Sequence, residues 1–210
     1  TGGSNIISLS SDESGGIFEC LEFNGTLQQS NISPRGFQDV MLSFSNTTNS
    51  FDIVLDSTGD VYCEEVLLLS SGHLAVVGSF SGTSNVLNYS TTNPSGYLYI
   101  LSPDFETNKS FIFDTGGDDK FYGLTELSSG GIVVAGSSEG NLSNYLPVNV
   151  SNCSSQSTCG IIIFLSPTVI FEKLQFVESN QSVTCIDAVE VASTNQVLVT
   201  GYFSGTMSFN

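Results

Sequence analysis

Gly130-Gly131-Ile132-Val133-Val134-Ala135-Gly136 decides how the chain is read, because degenerate copies of it recur along the sequence. Gly72-His73-Leu74-Ala75-Val76-Val77-Gly78 lies 58 residues upstream, and Asn195-Gln196-Val197-Leu198-Val199-Thr200-Gly201 lies 65 downstream. Gly15-Gly16-Ile17-Phe18-Glu19-Cys20-Leu21 is a worn fourth copy, with Leu21 where the closing glycine falls. Working outward, Phe23-Asn24-Gly25-Thr26, Phe80-Ser81-Gly82-Thr83, Ser138-Glu139-Gly140-Asn141 and Phe203-Ser204-Gly205-Thr206 follow the copies in order. A period of 57 to 65 residues, read from Gly25, Gly82, Gly140 and Gly205, means stacked supersecondary units.

Each unit continues with two more apolar runs. The first is Val40-Met41-Leu42-Ser43-Phe44, Tyr97-Leu98-Tyr99-Ile100-Leu101 or Ile161-Ile162-Ile163-Phe164-Leu165. The second is Phe51-Asp52-Ile53-Val54-Leu55, Phe111-Ile112-Phe113 or Leu174-Gln175-Phe176-Val177. These runs are rich in β-branched and aromatic residues, bounded by Gly, Asn, Asp, Ser and Pro, and lack helical periodicity. The second unit therefore reads as strands A (about 61–69), B (73–80), C (97–101) and D (110–114), with a tight glycine turn between A and B and a long, variable B–C loop.

Four antiparallel strands per unit is the signature of a β-propeller blade. The pattern resembles the bacterial β-propeller repeats abbreviated SBBP, most closely at Phe113-Asp114-Thr115-Gly116-Gly117-Asp118-Asp119, at Gly131 to Gly136, and at Gly201-Tyr202-Phe203-Ser204-Gly205-Thr206. The resemblance implies an all-β propeller of four-stranded antiparallel blades and little about function. The expected units are 1–56, 57–114, 115–179 and a partial 180–210, three and a half blades of one propeller segment. Thr1-Gly2-Gly3 aligns with Thr115-Gly116-Gly117 just past a D strand, so the expectation is that further repeats of a longer chain, or self-association, complete the ring.

Four basic residues stand against 21 acidic ones, for a net charge of −17. Phosphate neutralisation needs clustered Lys and Arg, so nucleic acid and anionic membrane surfaces are not expected partners. The longest apolar run, Gly160 to Leu165, stops far short of the roughly 20 residues of a spanning helix.

Asn-x-Ser/Thr sequons are the strongest chemical signal: Asn24, Asn31, Asn46, Asn88, Asn108, Asn141, Asn149, Asn152 and Asn180. With Ser and Thr near a quarter of the chain, 16 asparagines would give roughly four sequons by chance. N-linked glycans imply a secretory route and surface loops. Alternating strand direction puts Asn31, Asn88, Asn149, Asn152 and Asn180 on one rim and Asn46 and Asn108 on the other.

Of the five cysteines, Cys153 and Cys159 bracket a five-residue stretch that a local disulfide would close. Cys20 with Cys63 is an inter-blade bridge or a pair of small apolar core residues, and one thiol is left over on any pairing. No Cys-x-x-Cys pair or histidine cluster suggests a zinc site, and the single histidine, His73, sits at a turn edge. Glu64, Glu65, Glu126, Asp187 and Glu190 lie on A strands, where two carboxylates could serve a glycosidase; Glu64 and Asp187 are the pair expected to align, with Tyr122 between them. Asp56, Asp60, Asp114, Asp118 and Asp119 recur in D–A turns, as turn formers or as oxygen ligands for calcium.

Taken together, these residues predict a non-enzymatic, heavily N-glycosylated extracellular propeller, a structural or adhesive surface component such as a repeating fibre subunit, with no catalytic residues and no cofactor besides glycans. The alternative is a carbohydrate- or ligand-binding propeller using loop aromatics such as Tyr89, Phe105 and Tyr145, and the third reading is a propeller glycoside hydrolase.

Overall fold

Short apolar runs between glycine turns give strands throughout, and no α-helix occurs among the described residues. The computed structural model describes residues 3–12, 15–27, 32–46, 50–103, 108–142, 145, 158–191 and 193–209. The first unit forms β1 (Ser4–Ser11), β2 (Ile17–Phe23), β3 (Asp39–Ser45) and β4 (Ser50–Leu55), hydrogen-bonded in that order. The second forms β5 (Val61–Leu68), β6 (Leu74–Ser84), β7 (Tyr89–Leu101) and β8 (Asn108–Phe113), and the third β9 (Asp119–Glu126), β10 (Ile132–Ser138), β11 (Cys159–Leu165) and β12 (Phe171–Ser179), each again in chain order. A two-stranded ladder, β13 (Ser182–Val191) with β14 (Gln196–Ser204), follows. Every pairing is antiparallel.

Two features depart from the repeat as read in sequence. β15 (Met207–Phe209) returns to the far edge of β12, pairing with Val177 to Ser179, so the third sheet has five strands. The second unit has no long B–C loop: β6 and β7 continue their ladder to Ser84 and Tyr89 across a turn in which Asn88 takes a φ of 53°. Serine and threonine hydroxyls stabilise that extension, Thr83 Oγ1 lying 2.9 Å from Ser90 Oγ.

The glycines of the founding motif have two distinct causes. Gly15, Gly72 and Gly130 turn the chain at φ of 85°, 79° and 80°, and Asn195, the non-glycine residue that best tolerates this region, does so at 52°. The closing glycines Gly78, Gly136 and Gly201 face a β-bulge. Each first strand inserts one extra residue (Ile7, Glu64, Tyr122 or Ile186), which shifts the register against its second strand. A Cβ at Gly78, Gly136 or Gly201 would lie 2.0, 2.2 or 2.1 Å from the carbonyl oxygen of Tyr62, Lys120 or Thr184.

Successive sheets bury their faces against each other. Phe18, Cys20, Leu42, Cys63 and Tyr97 belong to the core between the first and second sheets, and Val77, Leu98, Phe121, Val134 and Ile163 to that between the second and third. Val133, Ala135, Ile162, Cys185 and Ala188 join the third to the fourth. Glycines let these faces close up: Gly96 of β7 lies under the Phe121 ring, and Gly160 of β11 under Cys185 Sγ. Fully buried Phe121 contributes about 2 kcal/mol by removing its ring from water. The outer strands meet as well, the rings of Phe111 and Phe171 stacking at 6.3 Å.

Candidate functional site

The first strands β1, β5, β9 and β13 lie side by side and carry the carboxylates that suggested chemistry. Register through the bulge corrects their alignment. Glu64 is itself the bulge residue, matching Tyr122 and Ile186, so Glu65, not Glu64, shares a position with Asp187, and Ser8 and Gly123 complete that row. Counting back from the closing glycine slips by one residue in the fourth unit, because the turn from Glu190 to Val197 is one residue longer than that from Glu126 to Ile132.

In this row Ser8 and Glu65 are hydrogen-bond acceptors between sheets. Ser8 Oγ accepts the Val66 N–H at 3.1 Å, and Glu65 Oε2 accepts the Leu124 N–H at 2.7 Å. Gly123, which has no side chain, leaves Ala188 N–H to Asp187 Oδ1 at 2.7 Å. A second row lies at the A–B turns. Glu126 accepts from Ser70 N at 2.6 Å and Ser70 Oγ at 2.7 Å, and Glu190 accepts from Ser128 N at 2.6 Å and Ser128 Oγ at 3.0 Å. Burial raises the Glu65 carboxyl above its ordinary range; the Leu124 N–H opposes that shift and the Asp187 charge adds to it. The Glu64 carboxyl is also raised by burial, with Glu22 adding to the rise and Lys120 opposing it. Sequence reasoning missed this bridging role, although Glu126 sits at one spacing from its turn and Glu190 one residue further from its own.

Three of the D–A aspartates, Asp60, Asp114 and Asp119, accept backbone N–H groups. Asp119 is fully buried and accepts from Thr115 N at 2.7 Å and Thr115 Oγ1 at 2.8 Å, and burial raises it to about 6. Asp60 Oδ1 accepts from Gln38 N, Asp114 Oδ1 from Gly116 N, and Asp56 pairs with Arg35 at 4.0 Å. No group of three His, Cys, Asp or Glu side chains placed to hold a metal ion occurs among the described residues. His73 Nδ1 lies 3.0 Å from Ser71 Oγ beside the turn.

The described sequons fall at connections. Asn24, Asn88, Asn141 and Asn180 are exposed at the end of the sheets where second strands exit, and Asn46 and Asn108 lie toward the opposite end. Three of them occupy one repeated corner, joining the start of a unit to the exit of its second strand. Asn24 N–H donates to Gly3 O and Asn24 Oδ1 accepts from Gly3 N at 2.8 Å. Asn141 N–H donates to Thr115 O, and Asn180 Oδ1 accepts from Thr206 N at 2.9 Å. The carboxamide bonds of Asn24 and Asn180 use Oδ1 and do not consume Nδ2, the atom that carries an N-linked glycan. Asn31, Asn149 and Asn152 lie outside the described residues, as do Cys153 and Phe105.

Cys20 and Cys63 form a disulfide joining β2 to β5, with Cα atoms 6.6 Å apart. Cys159 is disulfide-bonded, and Cys185 is a buried free thiol that burial pushes up to about 11. Of the loop aromatics, Tyr145 packs on Phe113 at 4.4 Å and accepts Asp114 N–H at its hydroxyl, and Tyr89 meets Phe80 edge-on, so both support the fold. No protein-family model matches the chain, and no curated protein matches it.

Proposed function

We propose that the chain is an N-glycosylated, extracellular protein of β-propeller type, built of SBBP-like repeats, that serves as a structural or adhesive surface component rather than an enzyme. The observation that carries this reading is the placement of sequon asparagines: Asn24, Asn88, Asn141 and Asn180 are exposed on one end of the stacked sheets, with Asn46 and Asn108 toward the other. Glycans on both rims would leave a propeller little open mouth for a macromolecular substrate. The Cys20–Cys63 disulfide fits an oxidising compartment. The first-strand carboxylates Glu65, Glu126 and Glu190, each held by N–H groups of a neighbouring sheet, are employed in assembly, which supports the non-enzymatic reading.

The test is glycan-site mapping on protein from its native source. Enzymatic deglycosylation in heavy-oxygen water converts occupied asparagines to labelled aspartates, expected at Asn24, Asn88, Asn141 and Asn180. Unlabelled asparagine at all four would overturn the proposal and return the sequons to composition.

A further inference from the structure

The outer edge of β14 differs from every equivalent edge in the chain. β2, β6 and β10 are each covered there by β3, β7 and β11, whereas among the described residues β14 pairs with β13 alone. Exposed strand edges are normally blunted by charge or proline. Gln196-Val197-Leu198-Val199-Thr200-Gly201-Tyr202-Phe203-Ser204 contains neither. Tyr202 and Phe203 are 61% and 52% exposed, while Ser137 and Ser138, their counterparts in β10, are 5% and 0% exposed.

Beside that edge runs an apolar groove of about 510 Å³ between the third and fourth sheets, with Ile162, Phe176 and Val177 on one wall and Val197, Val199 and Phe203 on the other. It continues the interface in which Ala135, Ile162 and Cys185 are already buried. One interface earlier, the corresponding outer region is filled by strands, Phe111 of β8 stacking on Phe171 of β12.

We infer that this groove and edge form a strand-acceptor site whose occupant is an antiparallel β-hairpin of the repeat's own third- and fourth-strand chemistry. The β10–β11 ladder, in which Ile132 faces Leu165 and Gly136 faces Ile161, sets its register. Val197 and Gly201 take the places of Ile132 and Gly136, so the entering strand runs antiparallel to β14 with apolar residues opposite both. Alternate side chains of that strand enter the groove against Ile162 and Phe176, and its backbone satisfies the open N–H and C=O groups of β14. The inference rests on the reading of the sheets as propeller blades but not on glycosylation, so its failure and that of the glycoprotein reading are separable.

The probe is a synthetic peptide spanning residues 159–179, carrying Cys159→Ser, which contains β11, its turn and β12. Amide hydrogen exchange is followed on the whole protein during titration. The expected result is new protection at alternate amides from Val197 to Phe203, absent with a scrambled peptide and weakened at least about tenfold by Phe203→Asp. Phe203 is half exposed, so that substitution leaves the fold intact, and the near-ultraviolet dichroism checks this. Unchanged exchange of β14 in the unsubstituted protein at millimolar peptide overturns the inference. So does concentration-dependent protection of the same amides without peptide, which would make a second copy the occupant.

Discussion

Ala135→Cys is expected to form a disulfide with Cys185, reproducing between the third and fourth sheets the Cys20–Cys63 bridge between the first and second. The repeat assigns the pair. Counting from the turn residues Gly15 and Gly130, Cys20 and Ala135 share one position of the second strand. Cys63 and Cys185 both directly precede the bulge residue of the first strand. Ala135 and Cys185 already share a core cluster, and the native bridge spans 6.6 Å between Cα atoms. Cys185 Sγ now lies over Gly160, so bridging requires a rotation about χ1. Closing the loop from 135 to 185 stabilises the fold by about 4 kcal/mol in the chain-entropy model. For a domain of this size that raises Tm by roughly 8–16 °C. Burial keeps the Cys185 thiol protonated at neutral pH, so oxidation needs alkaline buffer or an added oxidant. Non-reducing peptide mapping detects the cross-link, and thermal unfolding with and without reductant measures its effect. Two free thiols at residues 135 and 185 after forcing oxidation would refute the inter-sheet register.

Gly136→Ala forces a Cβ to 2.2 Å from Lys120 O and is expected to cost about 2–4 kcal/mol in urea unfolding, whereas Gly116→Ala, at φ 82° in open space, costs about 1 kcal/mol. Glu65→Ala strands the N–H of buried Leu124, costing about 2–3 kcal/mol and accelerating exchange of that amide; Glu126→Ala frees only exposed Ser70 and costs about 1 kcal/mol. Asp119 holds its proton to about pH 6 when folded, against an ordinary value of 3.8. Its contribution to stability is therefore complete below about pH 3.8 and is lost as pH rises through 6, a swing of roughly 3 kcal/mol. Chemical unfolding from pH 4 to 8 is expected to show that decline, and Asp119→Asn to flatten it; an unchanged slope in the variant would remove Asp119 as the cause.

Much of the architecture was legible because one motif repeats. Its leading glycine marks a left-handed turn, a backbone requirement that the sequence exposes, whereas the bulge faced by its closing glycine is visible only in the strand register. β15 was not legible: Met207 to Phe209 falls where the repeat reads as the connection after a second strand, and it pairs with a strand of the preceding unit. The first-strand carboxylates were found but misaligned, since the turn from Glu190 to Val197 is one residue longer than that from Glu126 to Ile132 and shifts any count made from the closing glycine. Their bridging role depends on neighbours about 60 residues away, which no local pattern records. The sequons are a motif of the sequence, and the structure adds the corner that Asn24, Asn141 and Asn180 share. The Cys20–Cys63 pair was one of two open readings until the sheets were seen face to face.

Imaging the protein from its native source by electron microscopy tests the central claim most directly, because it reads the arrangement of sheets and the presence of glycans together. The account predicts a ring of radially disposed sheets around a central axis, with extra density on both rims that disappears on deglycosylation. A two-layered sandwich or a linear stack without an axis, or rims bare of glycan density in native material, would contradict it.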